Sequence, residues 1–175
     1  MANLYLVGLP GAGKTTVGRI VSRRLNLRFV DLDRLIAQRE GVSVPDLFRA
    51  DAVAFREKET EALQWVIETL DRCVVATGGG TVEREENIEL LRKETVLYVV
   101  RHPRSILTTL NTDKRPVFGD DPNRIYPLAR HRIPLYEEIA DVRVTNNRSL
   151  RSCVGRVLKQ LEECGFPDPI RESEK

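Results

Sequence analysis

Five short apolar runs recur along the chain, at 4–7, 28–30, 74–76, 96–100 and 142–145. Several are almost wholly apolar, the pattern of strands covered on both faces. Between them lie segments of helical period. Residues 15–25 set Val17, Ile20, Val21 and Leu25 at helical spacing, and 52–70 is long and amphipathic. Shorter helical segments follow at 85–91, 104–110 and 150–161. This alternation predicts an α/β fold, a three-layer αβα arrangement with a five-stranded parallel sheet. Ligands in such folds gather at the C-terminal ends of the strands. Two regions break the rhythm. Residues 31–52 read as short helices where one crossover would do. The stretch "TDKRPVFGDDPN" at 112–123 is polar and rich in turn formers, and reads as a mobile lid.

Composition narrows the class. The 175 residues suit one domain, taken as 1–175. With 41% hydrophobic and 31% charged residues the chain falls among globular proteins in water. A net charge of +2 argues for neither nucleic acid nor membrane as a partner. Charge runs such as "EREEN" at 83–87 read as solvated helix faces. Cys73, Cys153 and Cys164 are odd in number and lack metal-ligand spacing, as expected of reduced thiols in a cytoplasmic protein. The N-terminus lacks the basic region of a signal peptide, and no uncharged run approaches the ~18 residues of a membrane span.

The most specific motif is "GLPGAGKTT" at 8–16, which fits G-x-x-x-x-G-K-[ST] between a predicted strand and a predicted helix. In such a loop the backbone N–H groups of Gly11, Ala12, Gly13, Lys14, Thr15 and Thr16 cradle phosphate oxygens. The helix N-terminus adds its positive dipole end. Lys14 reaches the β- and γ-phosphates, and the Thr15 hydroxyl is a ligand for Mg²⁺. The motif implies a nucleoside triphosphate with one Mg²⁺ and leaves the phosphate acceptor open. A switch GTPase would carry D-x-x-G and N-K-x-D, and neither occurs.

Four further stretches carry candidate chemistry. "FVDLDRLI" puts Asp31 and Asp33 just past the second strand. One carboxylate can hold a metal's water shell and the other can accept the proton of an attacking hydroxyl; either can equally cap the following helix. In "FREKE", Arg56 and Glu59 share a helix face, as a surface ion pair also would. "ATGGG" ends the third strand with Gly78, Gly79 and Gly80, which let a ligand approach the backbone closely. "ARHRIPLYEEIAD" supplies Arg132; His131 and His102 are weak signals on their own.

Taken in order, "GLPGAGKTTVG", "FVDLDRLI", "FREKE", "ATGGG", "KRP" and "RIPLYEEIAD" make the chain resemble the shikimate kinases over nearly its whole length. The resemblance implies the nucleoside monophosphate kinase fold, with a helical substrate-binding insert at about 31–60 and a lid at about 112–123. It implies transfer of the γ-phosphate of ATP to a shikimate hydroxyl, in the pathway to aromatic amino acids, by a cytoplasmic monomer. Asp33 would contact the acceptor hydroxyls and orient or deprotonate one of them. Asp31 would lie near Mg²⁺ through water. Arg56 and Arg132 would grip the shikimate carboxylate, with Gly78–Gly80 lining the same pocket. Arg115 would reach the ATP phosphates from the lid, and Arg148 would flank the adenine. Two arginines suit a carboxylate because each guanidinium fork pairs with it bidentately.

The chain departs from the family pattern in places. Asp51 and Ala52 replace a usual Gly-Glu, Val117 and Phe118 replace two leucines of the lid, and 110–112 lacks an arginine often found beside the adenine. The alternatives are a gluconate or nucleotide kinase of the same fold, and a nucleotide-binding regulator without activity. Arg56, Arg132 and the glycine triplet favour a compact carboxylic acid over the first. Asp33 and the lid arginine favour an enzyme over the second.

Overall fold

The computed structural model describes residues 3–109, 121–147 and 149–166. Arg115, Arg148 and most of the expected lid lie outside the described residues. The expected sheet is present: β1 (Leu4–Val7), β2 (Arg28–Asp31), β3 (Cys73–Ala76), β4 (Thr95–Val100) and β5 (Val142–Thr145). They pair in parallel, in the order β2-β3-β1-β4-β5. Each strand begins or ends within about one residue of its apolar run; β1, β3 and β4 are buried on both faces, whereas β5, at the sheet edge, alternates buried and exposed positions.

The helices are α1 (Lys14–Arg24), α2 (Leu32–Glu40), α3 (Val44–Ala50), α4 (Ala52–Thr69), α5 (Glu85–Leu91), α6 (Pro103–Leu107), α7 (Ile125–Ile139) and α8 (Leu150–Glu163). The passage from β1 to β2 steps two places to one side of the sheet, and that from β3 to β4 steps to the other. Right-handed crossovers therefore put α1 and α5 on opposite faces. The loops leaving β1 and β3, which are neighbours, diverge and open a crevice at their C-terminal ends. β1 lies at the centre, with Leu4, Tyr5, Leu6 and Val7 fully buried. Thr77 ties β3 to it, its amide and hydroxyl both donating to the Leu6 carbonyl at 3.1 and 2.9 Å.

The short helices expected at 31–52 are α2 and α3. Asp51, at one of the family departures, caps α4 by accepting from the amides of Val53 and Ala54 at 2.9 and 3.0 Å. Helix α7 is the main addition to the sequence-based elements. Pro127 and Pro134 obscure it, yet both are tolerated. Pro127 lies in the first turn, where amides lack intrahelical partners. Pro134 and Arg130 lie on the exposed side, where water can meet the Arg130 carbonyl that the proline leaves unpaired. The opposite side of α7 buries Ile125, Ala129, Arg132, Tyr136 and Ile139, a single stripe spaced 4-3-4-3. No helix among the described residues is long and apolar enough to cross a membrane.

Candidate active site

All five strands deliver a functional segment at their C-terminal ends. After β1 comes the phosphate loop. Gly13 takes φ +99°, a left-handed conformation that only glycine adopts without strain, and so turns the chain into α1. Helix α1 has no side-chain cap, so its first amides point into the loop as donors for an anion. Lys14 is buried, and its ammonium donates to the carbonyls of Gly8 and Leu9 at 2.7 and 3.2 Å. Those bonds fold the lysine over the loop where phosphate oxygens bind in this motif. The loop is braced from the far side of the sheet. Past β4, the Arg101 guanidinium donates to the Gly11 carbonyl at 3.0 Å; past β5, the Asn146 amide donates to the Ala12 carbonyl at 2.9 Å. Two consecutive carbonyls are thereby held by donors, which leaves the loop's amides to turn inward. Neither brace is announced by a motif, because each joins residues about 90 or more apart in the chain.

The end of β2 supplies the two aspartates, and they serve different partners. Asp31 accepts from the Thr15 hydroxyl at 2.9 Å through Oδ2 and from the Arg34 amide at 3.2 Å through Oδ1. The capping role and the role beside Thr15 therefore coexist in one side chain. A hydroxyl and a carboxylate in contact at the mouth of the phosphate loop are hard oxygen donors. They fit Mg²⁺, which is usually held by one or two carboxylates together with substrate phosphates. Asp33 lies in the first turn of α2 and turns toward the glycine triplet: its Oδ1 comes within 3.1 Å of the place a Cβ on Gly78 would take.

The end of β3 supplies the triplet, and its three members face different neighbours. A Cβ on Gly78 would collide with the Glu59 carboxylate, and one on Gly80 with the Arg56 guanidinium. A Cβ on Gly79 would instead meet Pro10 of the phosphate loop at 2.7 Å, while the Gly79 carbonyl accepts from the Tyr136 hydroxyl. Gly78 and Gly80 thus border the polar cluster, and Gly79 joins it to the nucleotide loop.

That cluster brings together Arg56 and Glu59 from α4, Glu83 from a 3-10 turn (Thr81–Glu83), and Arg132 from α7. Glu59 is buried and pairs with Arg56, and the Thr81 hydroxyl donates to it at 3.3 Å. Burial pushes the Glu59 carboxyl up, and Arg56 opposes that shift. The pair is therefore an interior one and not the surface contact its spacing also allows. Glu83 likewise departs from the solvated face expected of "EREEN". Its Oε1 accepts from Arg132 Nε at 2.8 Å and Nη2 at 2.6 Å, and its Oε2 pairs with Arg56 Nη2 at 2.9 Å. Arg132 is almost wholly buried on the inner stripe of α7, and Tyr136, one turn on, stacks on Tyr98 at 5.3 Å between centroids. Every sequence-predicted site residue within the described part thus falls at the strand ends, around the crevice between β1 and β3. The sequence reading gave no site role to Glu83, Tyr136, Arg101 and Asn146, and read Glu59 only as an ion-pair partner of Arg56 on one helix face. Of these only Glu59 had a signal, its helical spacing from Arg56. His131 is exposed, and His102 caps α6 by accepting from the Arg104 amide at 3.2 Å.

Comparison with known proteins bears on this arrangement directly. A family model described as shikimate kinase matches residues 10–162. The shikimate kinase of Ralstonia nicotianae is 41% identical over 175 residues, covering 97% of this chain and 92% of that protein. A bifunctional shikimate kinase/3-dehydroquinate synthase of Thermotoga maritima is 37% identical over 161 residues, 91% of this chain, which spans 32% of that longer protein. Among solved structures, a shikimate kinase from Acinetobacter baumannii in complex with shikimate superposes with a TM-score of 0.89 at 31% identity. The match covers 95% of this chain and 96% of that one. The chain that brings the phosphate loop, the paired aspartates, the glycine triplet and the two arginines together is a member of the shikimate kinase family.

Proposed function

We propose that this chain transfers the γ-phosphate of ATP to a hydroxyl of shikimate, giving shikimate 3-phosphate, and that the residues at the strand ends divide the work. The observation that carries this reading is the convergence of Arg56, Arg132, Asp33 and the glycine triplet one loop away from Lys14. Phosphoryl transfer asks a protein mainly for positioning and charge neutralisation. Gly11–Thr16 bind the phosphates through backbone amides, and Lys14 turns from its two loop carbonyls to the β- and γ-phosphate oxygens. Arg56 and Arg132 hold the acceptor carboxylate. Gly78 and Gly80 leave room for the ring, and Asp33 orients the reacting hydroxyl and accepts its proton. Thr15, and Asp31 through water, would hold Mg²⁺, which would supply charge neutralisation at the phosphates. Arg115 and Arg148 are proposed for the phosphates and the adenine. Three free cysteines, two of them buried, fit a reducing compartment, and the chain is proposed to act there as a monomer.

A nucleotide kinase would not need two arginines converging on one carboxylate beside a wall of glycines; gluconate, a linear acid, is separated from a compact ring acid by the assay. The test is direct: Mg-ATP is offered with shikimate, gluconate and a nucleoside monophosphate in parallel, and ADP formation is followed. Shikimate alone should be phosphorylated. Comparable turnover with either of the others would overturn the acceptor assignment.

A further inference from the structure

Glu83 occupies the arginine pair in the manner expected of a substrate carboxylate. One of its oxygens takes both Nε and Nη2 of Arg132, the other takes Nη2 of Arg56. Each oxygen thus satisfies a guanidinium, and the two guanidiniums are joined through a single carboxylate. A charge count sharpens the point. Arg56 and Arg132 contribute two positive charges, and the carboxylates paired with them, Glu59 and Glu83, two negative ones. Both guanidiniums are thus already matched within this cluster of described residues, so an acceptor carboxylate can gain both arginines only if an internal one yields.

The structure distinguishes which carboxylate can yield. Glu59 is enclosed, its side chain 2% exposed, and a Thr81 hydroxyl holds it. Glu83 ends a short 3-10 turn at the rim, and its side chain is 29% exposed, so it can swing to water at little desolvation cost. We propose that Glu83 is a displaceable internal carboxylate that holds Arg56 and Arg132 in place before the acceptor binds and competes with it for the same guanidiniums. It thereby sets the affinity for the acid. This rests on the assignment of Arg56 and Arg132 to the acceptor carboxylate.

The experiment compares Glu83→Gln with the parent enzyme in steady-state kinetics, using shikimate and its uncharged methyl ester. The amide keeps the shape and removes the competing charge. The KM for shikimate should fall roughly two- to fivefold, the scale of a partly exposed ion pair, with the KM for ATP unchanged. The methyl ester, which does not seek the guanidiniums as an anion, should show no such gain. A KM for shikimate that is unchanged or higher would overturn the proposal and make Glu83 a strut for the arginines. So would an equal gain for acid and ester. Arg132→Lys in parallel keeps the two readings apart. If it raises the KM for shikimate while Glu83→Gln does not lower it, only the role of Glu83 falls. If Arg132→Lys moves nothing, the carboxylate clamp falls and the competition with it. Should Glu83→Gln fold poorly, Glu83→Asp, which withdraws the charge by one methylene, should lower the same KM by a smaller factor.

Discussion

Gly80→Ala isolates the contact between the glycine triplet and the arginine pair. Gly80 has φ −104° and ψ 4°, which alanine adopts readily, so the substitution adds no backbone strain. What it adds is a methyl group where the Arg56 guanidinium now lies. Ordinary contact between such atoms is about 3.5 Å, and the guanidinium must retreat by on the order of an ångström to restore it. That retreat breaks the 2.9 Å pairing with Glu83 and moves the fork from the place where an acceptor carboxylate would meet it. One charge-assisted hydrogen bond contributes roughly 1.5–3 kcal/mol, which corresponds to about a 10- to 150-fold rise in the KM for shikimate. The phosphate loop is touched by Gly79 and not by Gly80, so the KM for ATP should stay near its original value. Initial rates with each substrate varied in turn give both constants. A shikimate KM within twofold of the parent would refute the placement of Arg56 in the acceptor pocket. A matching rise in the KM for ATP would show that the triplet acts as one rigid unit.

Asp33→Asn keeps the side chain's shape and removes its basicity; turnover should fall by roughly 10²–10⁴-fold, the usual scale for a general base, while ATP binding measured by calorimetry is unaltered. Near-normal turnover would remove Asp33 from the chemistry. Asn146→Ala releases the Ala12 carbonyl from its brace, and the KM for ATP should rise by about two- to tenfold, the worth of one neutral hydrogen bond, with the KM for shikimate unmoved. Asp51→Ala removes both amide contacts that cap α4, which should cost about 1 kcal/mol and lower Tm by about 2–4 °C in thermal denaturation. No change would mean that the family departure at this position carries no stability.

Much of the architecture is legible in the sequence because it is written in short-range terms. Apolar runs buried on both faces mark β1, β3 and β4, and an apolar stripe at helical spacing marks α1 and α8. The phosphate loop is readable because cradling a phosphate with backbone amides demands glycines and a lysine at fixed intervals within one turn. Asp31 and Asp33 are readable as a pair, though their division of labour is not. Local spacing allows either to cap α2, and the choice depends on Thr15, brought alongside by the packing of α1 on β2. Helix α7 was hidden because its two prolines are breakers by local rules. They are harmless only because one lies in the first turn and the other on the wet face.

The sequence by itself determined the strands and the phosphate-binding loop, and its resemblance to the family singled out the two arginines proposed for the acid. Only the tertiary structure decided what those arginines touch. Glu83 is 49 residues from Arg132 and belongs to a run that looks solvated; Glu59 is buried by Thr81 and the glycine triplet, which lie in a different loop. The physical reason is that a carboxylate's role is set by the charges and hydrogen-bond donors within about 4 Å of it, and chain closure brings those from elements far apart in sequence. The same holds for Gly78, Gly79 and Gly80. Their lack of side chains is plain in the sequence, but which neighbour each makes room for is fixed only when β3 ends between the phosphate loop and α4.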